Sequence, residues 1–138
     1  MLKTLIAEDD PTSQLVMEEF LSEFGTCKVV GDGEKAVSAF KEAMDASEPY
    51  ELVCLDIMMP VMDGQAALKA IREYEAAHGV AGHHGVKVIM TTALSDSKNV
   101  LTAFQEQCEA YIVKPVSQGE LVEKLRDLGL LKVPGGTA

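Results

Sequence analysis

The stretch LVCLDIMMPVMDG, residues 52–64, decides the reading of the fold. Four apolar residues, Leu52 to Leu55, run without alternation into Asp56, and an isoleucine, two methionines and a proline follow soon after. An unbroken apolar run of strand length marks a strand buried on both faces, as in a parallel sheet covered by helices. A carboxylate at the end of such a strand is costly unless it is paired, hydrogen-bonded or bound to a cation. Its compensation must come from elsewhere in the chain.

Working outward, runs of the same kind recur at LKTLIA (2–7), CKVVG (27–31), ELVCL (51–55), VKVIMT (86–91) and AYIVK (110–114), which predicts five strands. Between them, apolar residues take helical spacing: Val16, Phe20 and Phe24; Val37, Phe40 and Met44; Ala67, Ile71 and Tyr74; Val100, Phe104 and Cys108. Asp10 before Pro11 reads as an N-cap with proline at the first helical position. Ser117 and Glu120 fit a capping box ahead of Leu121, Val122, Leu125 and Leu128. Strict βα alternation predicts an α/β fold, a (βα)5 doubly wound parallel five-stranded sheet of the flavodoxin-like type. Ligands in such sheets bind beyond the carboxyl ends of the strands, where the strand order reverses.

The length of 138 residues fits one domain, expected over 1–130 with a flexible C-terminal tail at 131–138. A hydrophobic fraction of 47%, a charged fraction of 25% and a net charge of -10 fit a soluble globular chain and argue against attraction to nucleic acid or anionic membrane. Apolar runs stop well short of the roughly 18 residues that a membrane span needs, and the N-terminal apolar stretch is too short for a signal peptide. A cytoplasmic location is expected. Cys27, Cys54 and Cys108 form an odd set without a CxxC pair and read as reduced thiols in or beside apolar segments. His78, His83 and His84 crowd into AAHGVAGHHGV, but a glycine-rich loop preorganises metal ligands poorly.

The strand ends carry the chemistry. Glu8, Asp9 and Asp10 follow the first strand, Asp56 ends the third, Thr91 and Thr92 end the fourth, and Lys114 ends the fifth before Pro115. Each is ordinary by itself: a loop acid, a strand-end hydroxyl, a solvated lysine. Brought to one sheet edge, the carboxylates would repel and raise one another's pKa unless a hard divalent cation sat among them. Mg²⁺ accepts a few carboxylates while keeping water positions open. With Lys114 and a threonine hydroxyl converging, such a site could stabilise a phosphoryl group in transfer, with Asp56 as nucleophile. Asp10 is assigned to the helix cap instead.

Over residues 2 to 128 the chain resembles a two-component response regulator receiver domain, of the stand-alone, chemotaxis-regulator-like kind. LIAEDDP with Glu8 and Asp9, Asp56-Ile-Met-Met-Pro60 running on to Asp63-Gly64, Thr92-Ala93 in VIMTTAL, and YIVK with Lys114-Pro115 stand in the family's order. The resemblance implies that Asp56 accepts the phosphoryl group and that Asp9 and Asp56 ligate Mg²⁺ with the Met58 backbone carbonyl. Glu8 would act through water, and Thr92 and Lys114 would each contact a phosphoryl oxygen. It also implies that Thr92 and Tyr111 form the switch, and that the residues two beyond Asp56 and Thr92, here Met58 and Leu94, modulate hydrolysis. Both are apolar and orient water poorly, so slow autodephosphorylation is expected. The segment YEAAHGVAGHHGV is longer than is usual in the family and places an insertion away from the site.

The implied partners are a sensor histidine kinase or histidine phosphotransfer protein and a downstream protein target. The target would meet the face of the fourth helix, fifth strand and fifth helix, with DSKNVLTAFQEQC presenting it. No DNA-binding domain follows residue 128, so no direct nucleic-acid contact and no membrane contact are expected. Three other readings compete. An aspartyl phosphohydrolase of the haloacid-dehalogenase-like kind needs an acid at position 58, where this chain has methionine. A pseudo-receiver, a binding module that never takes phosphate, is opposed by the complete set Glu8, Asp9, Asp56, Thr92 and Lys114. A phosphate sink or shuttle within a relay would use the same site.

Overall fold

The computed structural model describes residues 1–80, 84–93 and 108–131. Its elements are β1 (Leu2–Ala7), α1 (Pro11–Ser22), β2 (Gly25–Val30), α2 (Gly33–Asp45), β3 (Leu52–Asp56), α3 (Gly64–Ala77), β4 (Lys87–Thr92), β5 (Ala110–Val113) and α4 (Gln118–Asp127). The strands form one parallel sheet in the order β2-β1-β3-β4-β5, the doubly wound arrangement expected from the alternation. Most of the expected fourth helix falls within residues 94–107 and so lies outside the described residues, as does most of the tail. The order reverses between β1 and β3, so the strand ends carrying Glu8 and Asp56 are neighbours at the switch point.

Two cores explain why β3 reads as an unalternating run. Val53 and Leu55 enter the core formed with Val37, Phe40, Ala67 and Ile71 of α2 and α3, whereas Leu52 and Cys54 enter the one formed with Met17, Leu21, Leu121 and Leu125 of α1 and α4. Alternation persists, but both of its faces are apolar. β1 divides likewise, with Leu5 and Ala7 in the first core and Leu2 and Ile6 in the second. The face of α1 differs from the expectation: Met17 and Leu21 are buried, while Val16, Phe20 and Phe24 are half-buried at its flank.

Each described helix begins on a side-chain cap that accepts a backbone N–H three residues on: Asp10 from Ser13, Asp32 from Lys35, Asp63 from Ala66 and Ser117 from Glu120. The cysteines are free, as expected. Burial pushes the Cys54 thiol up to about 12, which makes it inert at neutral pH. β2 begins at Gly25, two residues before the expected start, because Gly25 pairs with Leu2 so closely that a Cβ would lie 1.8 Å from the Leu2 carbonyl oxygen.

Candidate functional site

The site is built where three adjacent strands end. Glu8 follows β1 and Asp56 ends β3, and both continue the even-numbered alternation that carries Ile6 and Cys54 toward α1 and α4. Both are nearly inaccessible, at 3% and 5% exposure. Such burial demands compensation, and Lys114 supplies part of it: its Nζ lies 2.7 Å from Glu8 Oε1 and 3.0 Å from Asp56 Oδ2. The other Asp56 oxygen, Oδ1, accepts the Met58 N–H at 3.3 Å. Asp9 is exposed, yet one oxygen from each of Glu8, Asp9 and Asp56 lies within 4.8 Å of the others.

Burial raises the Glu8 carboxyl above its ordinary range, against the lowering pull of Lys114. Burial alone would lower the Lys114 ammonium, but Glu8 and Asp56 together carry it upward, so it stays charged. Asp10 behaves differently. Its carboxylate accepts both the N–H and the hydroxyl of Ser13 at 2.9 Å, which holds it below the usual range and commits it to the cap.

β4 adds the hydroxyls. Thr91 pairs with Asp56 in the ladder and Thr92 is the next residue, buried at the strand end, with its hydroxyl donating to the Ala93 carbonyl at 3.2 Å. The Lys114 N–H donates to the Thr92 carbonyl at 2.8 Å, which ties the lysine's backbone to the threonine strand. The loop after Asp56 folds back on itself: the Gly64 N–H donates to the Ile57 carbonyl at 2.9 Å. A Cβ at Gly64 would lie 2.3 Å from the Asp56 carbonyl oxygen. Val61 in this loop has φ 67°, a left-handed conformation rare for a β-branched residue.

The donor set suits Mg²⁺. Oxygens around an octahedral Mg²⁺ lie up to about 4.2 Å apart, given bonds of about 2.1 Å, so oxygens of Asp9 and Asp56 within 4.8 Å need only a small contraction to reach one ion, with Glu8 near enough to act through water. Glu8, Asp9, Asp56, Thr92 and Lys114 are thus assembled at one edge, with Met58 beside them, 61% exposed. Tyr111 stands on β5, 40% exposed. Leu94 lies outside the described residues. Reading the sequence missed Gln14, whose side-chain amide donates to the Glu8 carbonyl at 2.6 Å; a polar residue inside an amphipathic helix carries no periodic signal.

Residues 4–126 match the family model of the response regulator receiver domain. The chain belongs to that family, the receiver domains of two-component signalling. Among curated relatives it is 34% identical over 127 residues to the probable transcriptional regulator ycf27 of Porphyridium aerugineum, covering 91% of this chain but 47% of the relative. It therefore spans about half of that protein's length. Among solved structures, the receiver domain of yeast Ssk1 in complex with the histidine phosphotransfer protein Ypd1, from Saccharomyces cerevisiae, superposes with TM-score 0.79 at 27% identity, covering 93% of this chain and 88% of that one. The receiver domain of sensor histidine kinase PA1611 from Pseudomonas aeruginosa, with magnesium coordinated in its active-site cleft, gives TM-score 0.74 at 27% identity and covers 93% and 98%. Among the described residues no helix is long and apolar enough to cross a membrane.

Proposed function

We propose that this chain is a phosphoacceptor domain in which Asp56 takes a phosphoryl group from the phosphohistidine of a sensor kinase or a phosphotransfer protein, with Mg²⁺ bound by Asp9, Asp56 and the Met58 carbonyl. The observation that carries this reading is the shared contact of Lys114 with Glu8 and Asp56 beside an exposed Asp9. An Asp56 carboxylate oxygen attacks phosphorus as the P–N bond breaks and the imidazole leaves. When bound, the cation would offset charge on the phosphoryl oxygens. Lys114 pairs with one phosphoryl oxygen and the Thr92 hydroxyl with another, while Glu8 acts on the cation through water. Leu15, Met58 and Val61, all more than half exposed, lie on the first turns of α1 and on the loop after β3. Apolar anchors around a polar centre suit a protein phosphodonor, and Ypd1 bound to the Ssk1 receiver supports that class of partner.

Phosphorylation then shifts the populations of two states through Thr92 and Tyr111. A surface that includes β5 and α4 passes the change to a protein target, with no direct contact to nucleic acid or membrane; the fourth helix expected on that face lies outside the described residues. The domain spans 1–130, acts in the cytoplasm and catalyses at most its own phosphorylation and slow dephosphorylation. The magnesium in the PA1611 receiver supports the choice of cation.

Incubation with acetyl phosphate and Mg²⁺, read by intact mass, is expected to add one phosphoryl group to the wild type and none to Asp56→Ala. An unmodified wild type would favour a pseudo-receiver, and rapid turnover of small phosphate esters would favour a hydrolase. Acyl-phosphate loss is expected to be slow in the wild type and faster in the Met58→Asn, Leu94→Glu double variant. Equal or slower decay in the double variant would remove the assigned role of positions 58 and 94.

A further inference from the structure

The exposed Asp9 is held by its neighbours rather than by packing, and two side chains share that task. The Glu8 N–H still belongs to the sheet, donating to the Val30 carbonyl at 3.0 Å. The β1–β2 register, on the side to which the Glu8 N–H points, has by then ended at Ala7 with Val30, so the Glu8 carbonyl has left the ladder. A buried carbonyl must find a donor, and the Gln14 side-chain amide supplies it at 2.6 Å. Because the partner is a carbonyl, only the NH₂ end of the amide can make this contact. The Gln14 backbone N–H meanwhile donates to the Asp10 carbonyl at 2.9 Å. Gln14 thus grips the chain on both sides of Asp9.

The two peptide planes flanking Asp9 are fixed separately. The Glu8–Asp9 plane is held by Gln14 through its carbonyl, and the Asp9–Asp10 plane by the Glu8 carboxylate, which accepts the Asp10 N–H at 3.1 Å. Their orientations set where the Asp9 carboxylate points. Resting on the cation-dependent reading above, we propose that Gln14 is a positioning residue for the acidic turn, aligning the Glu8–Asp9 peptide so that the Asp9 carboxylate converges with those of Glu8 and Asp56. It touches neither the cation nor the reacting atoms. Without its amide the Glu8–Asp9 plane rotates, and a carboxylate that must be immobilised on binding carries a larger entropic cost.

The test is Mg²⁺ titration by isothermal calorimetry on the wild type and Gln14→Met at 25 °C, with circular dichroism confirming that each is folded. Methionine keeps the length and apolar stem of glutamine and removes the donor. The expected result is Mg²⁺ binding weakened about three- to tenfold, at or below the lower end of what loss of a ligand-orienting partner costs in metal sites. A residue that merely satisfies a carbonyl would lower the melting temperature and leave Mg²⁺ affinity unchanged, and that outcome overturns the proposal. If Gln14→Met does not fold, Gln14→Asn, which keeps the amide on a stem too short to reach, is read by the same criterion. A wild type that binds no Mg²⁺ would instead remove the functional reading itself.

Discussion

The two ends of the sheet carry similar groups and use them in opposite ways. At the amino end of β4, Arg72 meets Glu75 at 2.9 Å, Glu109 at 2.9 and 3.2 Å, and the Val86 carbonyl at 2.9 Å. Each of the two carboxylates also takes a backbone N–H, Glu75 from Val86 at 2.6 Å and Glu109 from Val88 at 2.7 Å. At the carboxyl end, three carboxylates cluster and two of them, Glu8 and Asp56, share one ammonium. Burial of charge is tolerable where every oxygen is answered. At the carboxyl end each oxygen of Glu8 and Asp56 has a partner too, but Asp9 adds a third carboxylate to the cluster, an excess of negative charge that the proposed cation would offset; the first end stabilises the fold, and the second is where the proposed chemistry lies.

The same chemical change at the two ends should therefore have opposite signs. Glu75→Gln removes a buried partner of Arg72 and is expected to destabilise the chain by about 3 kcal/mol, measured by urea unfolding, while phosphorylation under native conditions persists. A loss below about 1 kcal/mol would break the contrast. Asp56→Asn, by relieving repulsion with Glu8 and Asp9, is expected to stabilise the metal-free protein by about 1 kcal/mol even though it weakens the Lys114 pair. Saturating Mg²⁺ should narrow that difference, because the wild type gains stability by binding it. A smaller effect sharpens the picture. Val61→Asn, which better tolerates the left-handed conformation, is expected to add about 0.5 kcal/mol, and no gain would mean that this loop holds no strain.

What could be read from the sequence follows from how each feature is encoded. β1 was legible to the residue because LKTLIA is mostly apolar and Glu8 ends it, and β3, β4 and β5 fell within one residue of expectation at either end. Gly25 hid the start of β2, since glycine carries no strand signal and only its tight pairing with Leu2 places it there. The α1 stripe was misplaced by one position because Val16 and Met17 are both apolar and only tertiary packing selects between them. Glu8, Asp9, Asp56, Thr92 and Lys114 were findable because strand ends converge by topology. The contacts Gln14–Glu8 and Arg72–Glu109 were not, because they join single polar side chains whose pairing has no period and no motif.

Glu75 has one more consequence. Its carbonyl accepts the Val80 N–H at 2.9 Å and its carboxylate the Val86 N–H at 2.6 Å, so one residue fastens both ends of the segment between them. Loop-closure entropy grows only slowly with length once the ends are fixed. For a protein engineer this makes the stretch between Val80 and Val86 the natural port of the molecule. An epitope, a fluorophore or a short guest peptide grafted there would sit at the opposite end of the sheet from Asp56, leaving the proposed phosphorylation of that residue available as the readout.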